Sequence, residues 1–344
     1  MLYEEKEDVG NKYREKLYDE LLDLIENRRS LAREKRKEFF NYDSTNENLY
    51  IKSISPLREK FKSMLGWPLT EESGFGSKEE ANYEFVAEDD LGSIYRVQIP
   101  VLKGLTAYGI YFKPHGEGRF PLVISQHGGL GTPEACSGFF GSGNYHDMTR
   151  RVLKRGVAVF AHQMLLWNQD RFGPKFDRIS IDNKLKQLGS SITAVEIFKL
   201  QMSINKLLER PELDPERVGM IGLSYGGFYT LFTAAVEERI KVAVSSCFVN
   251  DRFKVDWHDW TWFNAGNTFL DADICGLVCP RPLYIEAGDK DELFDVNGFK
   301  ETAEEASHFY SKLGINDRFA SVVFNGIHEL NPEDEPIDFL LKWL

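Results

Sequence analysis

The chain has 344 residues, 42% hydrophobic and 13% aromatic, which is enough apolar material for a sizeable core. Its formal net charge of −12 argues against a general affinity for nucleic acid or anionic lipid, both of which would repel it at long range. The opening residues MLYEEKEDVG lack the basic start and apolar stretch of a signal peptide, and no run approaches bilayer-spanning length, so the expectation is a cytoplasmic protein with no membrane partner.

Residues 1–40 are charge-dense and carry Tyr13, Leu17, Leu21, Leu24 and Leu31 at spacings of three, four and seven, which predicts one or two amphipathic helices. Such a stripe needs cover, from the body or from a second copy in a homo-oligomer. From 53 to 77 the chain gathers Gly, Pro and Ser around MLGWPL and ESGFGS and reads as a connection, with a boundary near 75. The domain reading is therefore 1–75 as a helical N-terminal extension and connection, and 76–344 as the catalytic domain.

Three strand-like runs follow, YEFVAED, IYRVQIPVL and TAYGIYFKP, then a turn and the strand PLVISQHGG. Beyond it strands at 156–163, 217–223, 241–248, 281–288 and 319–326 alternate with helices near 145–155, 191–209, 225–237, 297–313 and 333–344. Continuous apolar strands argue for a parallel sheet covered on both faces, so the class is α/β, doubly wound, opened by a β-meander. Two long connections, 164–190 and 249–280, lie where loops beyond strand ends shape a ligand site.

The stretch IGLSYGGF, residues 221–228, places Ser224 between glycines at GxSxG spacing, after an apolar strand and before a helix. That is the setting of a nucleophile elbow, where Gly222 and Gly226 let a tight turn approach its neighbours. A serine hydroxyl needs a base, and the base needs a partner that fixes its tautomer. In the order serine, acid, histidine, the acid follows the strand PLYIEAG, where GDKDELFD offers Asp289, Asp291 and Asp295. Asp291 is preferred because it completes a Gly-x-x-Asp turn from Gly288; Asp289 is the runner-up. His328 stands alone in the loop between the last strand and the last helix and is the expected base. His115, His146, His162, His258 and His308 read as surface or packing residues.

An acyl-transfer site also needs oxyanion donors. The amide of Tyr225 supplies one, and QHGGLG supplies the other through Gly129, or Gly128, with His127 bracing the loop. The segment DRFKVDWHDWTWFN, 251–264, holds Trp257, Trp260 and Trp262, three of the six tryptophans. These, with Trp167 and Phe172 of the other long connection, are read as substrate-site walls or as packing of the loops onto the body. Cys136, Cys247, Cys275 and Cys279 are expected to be buried reduced thiols; neither their spacing nor the nearby histidines suggest zinc, and no metal or other cofactor is expected.

The motifs QHGG, GLSYGG, GDKD and GIHE, in this order, resemble the dienelactone hydrolase and acetyl xylan esterase branch of the α/β-hydrolases, a branch related to the catalytic domain of prolyl oligopeptidases. The resemblance covers roughly residues 80–344. It implies an esterase-type hydrolase with Ser224, Asp291 and His328 as the triad and a small-molecule ester as substrate. Two departures stand out: dienelactone hydrolases carry a cysteine at the place of Ser224, and the acetyl esterases usually carry an aromatic residue and a glutamine where Gly129 and Tyr225 stand. The alternatives are a prolyl oligopeptidase-type peptidase, whose gating propeller, at about 40–50 residues per blade, has no room before residue 120, and a non-catalytic binding protein of this fold.

Overall fold

The computed structural model describes residues 1–72, 74–167 and 176–344. Two helices open the chain, α1 (Asn11–Phe39) and α2 (Glu47–Leu65), followed by the meander β1 (Asn82–Asp89), β2 (Gly92–Leu102) and β3 (Leu105–Pro114). From β4 (Phe120–Gln126) strands and helices alternate: α3 (Pro133–Cys136), α4 (Met148–Leu153), β5 (Ala158–His162), α5 (Arg178–Gln187), α6 (Ile192–Leu207), β6 (Leu213–Leu223), α7 (Tyr225–Val236) and β7 (Ile240–Ser246). The chain closes with α8 (Asp271–Val278), β8 (Leu283–Gly288), α9 (Val296–Lys312), β9 (Phe319–Phe324) and α10 (Glu335–Lys342).

Among the described residues these strands make one sheet in the order β1-β2-β3-β5-β4-β6-β7-β8-β9. The meander and its junction with β5 are antiparallel, and every pairing from β5 to β9 is parallel. The apolar runs of β5 and β8 are buried at every residue because helices cover both faces. One core cluster joins the sheet to α2, α6, α7, α8 and α9, and a second joins it to α3, α4 and α10. This is the α/β, doubly wound, mostly parallel architecture expected from the strand–helix alternation.

The N-terminal segment departs from expectation in two ways. The stretch from 53 does not begin a connection, because α2 runs on to Leu65 and passes through Pro56. Tyr50, Ile54, Phe61 and Leu65 recur at helical spacing and are buried, while Pro56 is on the exposed face, away from the packed side of the helix. Arg58 locks the helix to the body, donating to the carbonyls of Ala235 at 2.8 Å and Leu277 at 3.1 Å and pairing with Glu238 at 2.7 Å.

Secondly, the body holds α1 through Ala32, Arg36 and the residues that end the helix, not through the predicted stripe. Arg29 donates to the Phe253 carbonyl at 3.1 Å, Arg36 pairs with Asp273 at 2.9 Å, and Phe39 and Phe40 meet Phe269 edge-on. Tyr13, Leu17, Leu21, Leu24 and Leu31 all remain exposed. Among the described residues, no helix is long and apolar enough to cross a membrane.

The two halves of this segment should respond differently to truncation of a side chain. Phe61→Ala, which opens a cavity against Phe232 and Phe269, is expected to cost about 3–5 kcal/mol in denaturant unfolding, whereas Leu21→Ala is expected to stay within about 0.5 kcal/mol.

Candidate active site

The site is built at the carboxyl ends of β4, β6, β7, β8 and β9, where a parallel sheet of this kind gathers its loops. Ser224 joins β6 directly to α7 at φ 60° and ψ −121°, a backbone region that a non-glycine residue enters only under constraint. The constraint is close packing. A Cβ on Gly222 would stand 2.3 Å from the Gly226 carbonyl oxygen, and one on Gly226 would stand 2.0 Å from that of Gln126. The Ser224 amide donates to the Ser246 carbonyl at 2.9 Å, fixing the elbow to β7.

The loop after β8 brings Asp291 to His328. His328 Nδ1 donates to Asp291 Oδ2 at 2.8 Å, while Asp291 Oδ1 accepts from the amides of Leu293 at 2.8 Å and Phe294 at 3.2 Å. Because a carboxylate only accepts, this bond places the proton on Nδ1 and leaves Nε2 as the basic nitrogen. The Asp291 amide reaches the Gly288 carbonyl at 3.3 Å, closing the Gly-x-x-Asp turn. Asp289 instead accepts from the Gly326 amide at 3.0 Å and ties the two loops together, and Asp295 caps α9.

The oxyanion-loop residues face the elbow. A Cβ on Gly128 would lie 3.2 Å from that of Ser224, and one on Gly129 would lie 3.2 Å from the Tyr225 ring. The Gly128 amide donates to the Tyr145 hydroxyl at 2.8 Å, so of the two glycines Gly129 keeps its amide for a ligand. The Tyr225 amide opens α7, where N–H groups have no intrahelical acceptor. His127 is buried, which pushes its pKa down to about 4. Its Nδ1 donates to the Gly128 carbonyl at 2.8 Å, so neutral His127 braces the loop.

Several contributors were not legible in the sequence. Asn144 accepts from the Leu330 amide at 2.9 Å and His146 pairs with Glu329 at 2.7 Å, so the segment that carries Tyr145 also holds the His328 loop. Arg178 and Tyr225 converge on Asp259: the guanidinium Nε lies 2.8 Å from Oδ2 and the phenol donates to Oδ1 at 2.6 Å. These pairs join residues dozens of positions apart, and no local spacing signals them.

The tryptophans divide. Trp167 and Trp257 line a 210 Å³ cavity together with Tyr225 and Arg178. Trp260 is buried beneath them, 4.6 Å from Trp257 ring to ring. Trp262 turns away to pack on Phe232 at 5.3 Å and Phe61 at 5.9 Å. Phe172 lies outside the described residues. The structure therefore brings Trp167 and Trp257 to the cavity beside the elbow, but not Trp260 or Trp262.

All four cysteines are free and buried. Cys247, Asp291 and His328 hold a sulfur, an oxygen and a nitrogen within 4.8 Å of one another. The acid and imidazole already satisfy each other, and burial drives the Cys247 thiol pKa strongly upward, away from the thiolate that a metal requires.

Glu286, fully buried on β8, accepts from the Asn331 amide at 3.0 Å through Oε1, and Oε2 has no protein partner. Ser246 at the end of β7, Cys247 just after it, Tyr284 and the Asn331 loop surround it, with Arg151 the nearby cation, and burial raises its pKa to about 7. A folded pKa above the unfolded one means that folding favours the proton, so this contribution is complete below the unfolded value near 4.3 and is lost as pH rises through about 7. Wild type should therefore lose about 2–3 kcal/mol more unfolding free energy than Glu286→Gln between about pH 5 and about pH 8, read by denaturant titration. Equal slopes would place Glu286 in a charged, satisfied state.

Comparison with known proteins agrees with this architecture. Over 166 residues the chain is 27% identical to YtaP of Bacillus subtilis (strain 168), a protein named as a hydrolase, covering 45% of this chain and 56% of that one. Over 289 residues it is 24% identical to YuxL of the same organism, named as an uncharacterised peptidase, covering 76% of this chain and 40% of that one. The chain thus spans about half the length of these curated relatives or less. A crystal structure from Bacteroides fragilis NCTC 9343, named as an acetyl xylan esterase, superposes with a TM-score of 0.64 at 13% identity, covering 88% of this chain and 85% of that one, which is a likeness of fold. The sequence profile of the dienelactone hydrolase family matches residues 136–315, more than half of the 344, and the chain belongs to that family.

Proposed function

We propose that the protein is a serine hydrolase of small carboxylic esters that works through an acyl-enzyme. Ser224 is the nucleophile, His328 the base, Asp291 its orienting partner, and the amides of Tyr225 and Gly129 are the oxyanion donors. The observation that carries the reading is the 2.8 Å bond from His328 to Asp291, set beside a serine at φ 60° on a strand-to-helix turn. Family membership and the esterase named among the structural neighbours support hydrolysis of esters.

In this reading the Ser224 oxygen attacks the ester carbonyl carbon as its proton moves to His328 Nε2. The buried Asp291 carboxylate stabilises the imidazolium that results. The carbonyl oxygen, now negative, sits between the two amides. His328 then protonates the departing alkoxide, and water repeats the sequence on the acyl-enzyme to release the acid and restore the serine. Trp257 and Trp167, with the Tyr225 ring, form the wall nearest the elbow. The match to a peptidase covers only 40% of that protein, so its activity carries less weight here than the family does.

The test is steady-state hydrolysis of p-nitrophenyl esters of increasing chain length alongside acetylated sugars. Ser224→Ala is expected to lower kcat by several orders of magnitude on every ester, and Asp291→Asn by about 10⁴-fold, since His328 loses its tautomer and partner charge, while Asp289→Asn keeps most of its kcat. A crippled Asp289→Asn beside a near-normal Asp291→Asn would exchange the two carboxylates. Full activity in Ser224→Ala would remove the serine mechanism.

A further inference from the structure

A second cavity, larger than the one beside the elbow, lies apart from it. It measures 900 Å³ and lies at the same carboxyl edge of the sheet, between the β2–β3 turn, the chain after β5, α5 and α6. Its walls are aliphatic and aromatic, with Leu105, Leu165, Leu185 and Val195 among them, and Phe75 and Ile181 at its rim are each 39% exposed. An apolar hollow of this size that opens to solvent has the build of a small-molecule site. Among the described residues, the segments 165–167 and 176–181 line both this cavity and the smaller one, presenting Leu166 and Phe176 to one and Trp167 and Arg178 to the other.

Three polar residues that line the larger cavity connect through hydrogen bonds to the Gly128–Gly129 peptide and to the side chain of Tyr225. Gln163 Nε2 lies 3.2 Å from His127 Nε2, which also accepts from the Met164 amide at 3.3 Å, and His127 holds the Gly128 carbonyl next to Gly129. On the other branch, Glu196 accepts from the Leu165 amide at 2.7 Å and stands 3.8 Å from Arg178, which holds Asp259 and through it the Tyr225 hydroxyl. Lys199 sits at the fork, donating to the Gln163 carbonyl at 3.0 Å and to Glu196 at 2.7 Å. Every link is buried or nearly so, and a displacement at the floor therefore has no solvent in which to dissipate.

We propose that this cavity is an effector site for an unbranched alkyl carboxylate, distinct from the ester site, and that its occupant alters turnover by acting through Lys199 on the residues that carry both oxyanion donors. This rests on the ester-hydrolase reading given above. The aliphatic walls accept the chain. The head group belongs at the rim, where the exposed Lys103 has no ion-pair partner among the described residues, because the inner cation Lys199 is already neutralised by Glu196.

The probe is decanoate, added to the full chain. Calorimetry should give saturable one-to-one binding. Turnover of p-nitrophenyl acetate, whose short acyl group does not need the cavity, should show kcat changed at least about twofold at saturating decanoate, with no competition for the acetate ester. Lys103→Glu, on the exposed turn, should weaken decanoate by about tenfold, and Ile181→Glu should abolish both binding and the kcat ratio. The proposal is overturned if decanoate fails to bind, if neither substitution changes its affinity, or if it raises KM alone as a competitor. Absence of any ester turnover would instead remove the ester-hydrolase reading, and calorimetry with the two variants would still decide the site.

Discussion

The constraint on which the molecule depends is the turn at Ser224. A side chain that bears a Cβ is held at φ 60°, an arrangement that costs on the order of 1–3 kcal/mol and persists only where the surroundings over-determine it. Here they do so from three directions: β6 enters buried along most of its length, α7 leaves buried at every residue, and the glycines at 222 and 226 let the Gln126 end of β4 close over the turn. The sheet order follows from the same demand, since β4 and β7 must flank β6 for the oxyanion loop and the Ser246 carbonyl to reach the serine.

The remaining loops are fixed to that turn by polar contacts as well as by the aromatic packing of Trp257, Trp260 and Phe294. The acid loop and the histidine loop are tied to each other through Asp289 and the Lys290 amide, and the histidine loop is tied to the segment 144–146. Under it lies Glu286, a carboxyl without solvent whose pKa burial raises to about 7. On the other flank the Arg178, Asp259, Glu196 and Lys199 charges are buried as a compensated set, which fixes register even where it adds little net stability. Beside these contacts the 210 Å³ and 900 Å³ cavities open to solvent.

The local signals were enough for the strand–helix alternation and for the positions of Ser224, Asp291 and His328 in it, because each sits on a short turn whose spacing is written in a few adjacent residues. The signals failed where a distant contact decides. Pro56 and the glycines and serines after it read as a break, yet the buried face of α2 overrides the proline, which lies on the exposed side. The three tryptophans of 251–264 look equivalent as letters, but the fold sends Trp257 to the cavity, Trp260 beneath it and Trp262 into the core with Phe61. The apolar spacing of α1 predicts an amphipathic helix but not that the body holds it through Ala32 and Arg36 while the spaced residues stay exposed. Glu286 and Arg178 carry no motif at all; their burial and partners exist only in three dimensions.

The central claim is that Ser224 attacks, and covalent trapping addresses it most directly. A fluorophosphonate reagent, which needs an activated serine beside an oxyanion hole, is added to the full chain and the digest is mapped by mass spectrometry. The account predicts a single phosphonyl adduct on the peptide that contains Ser224, formed in step with loss of ester hydrolysis. An adduct on another residue, or full loss of hydrolysis with Ser224 unmodified, would contradict it.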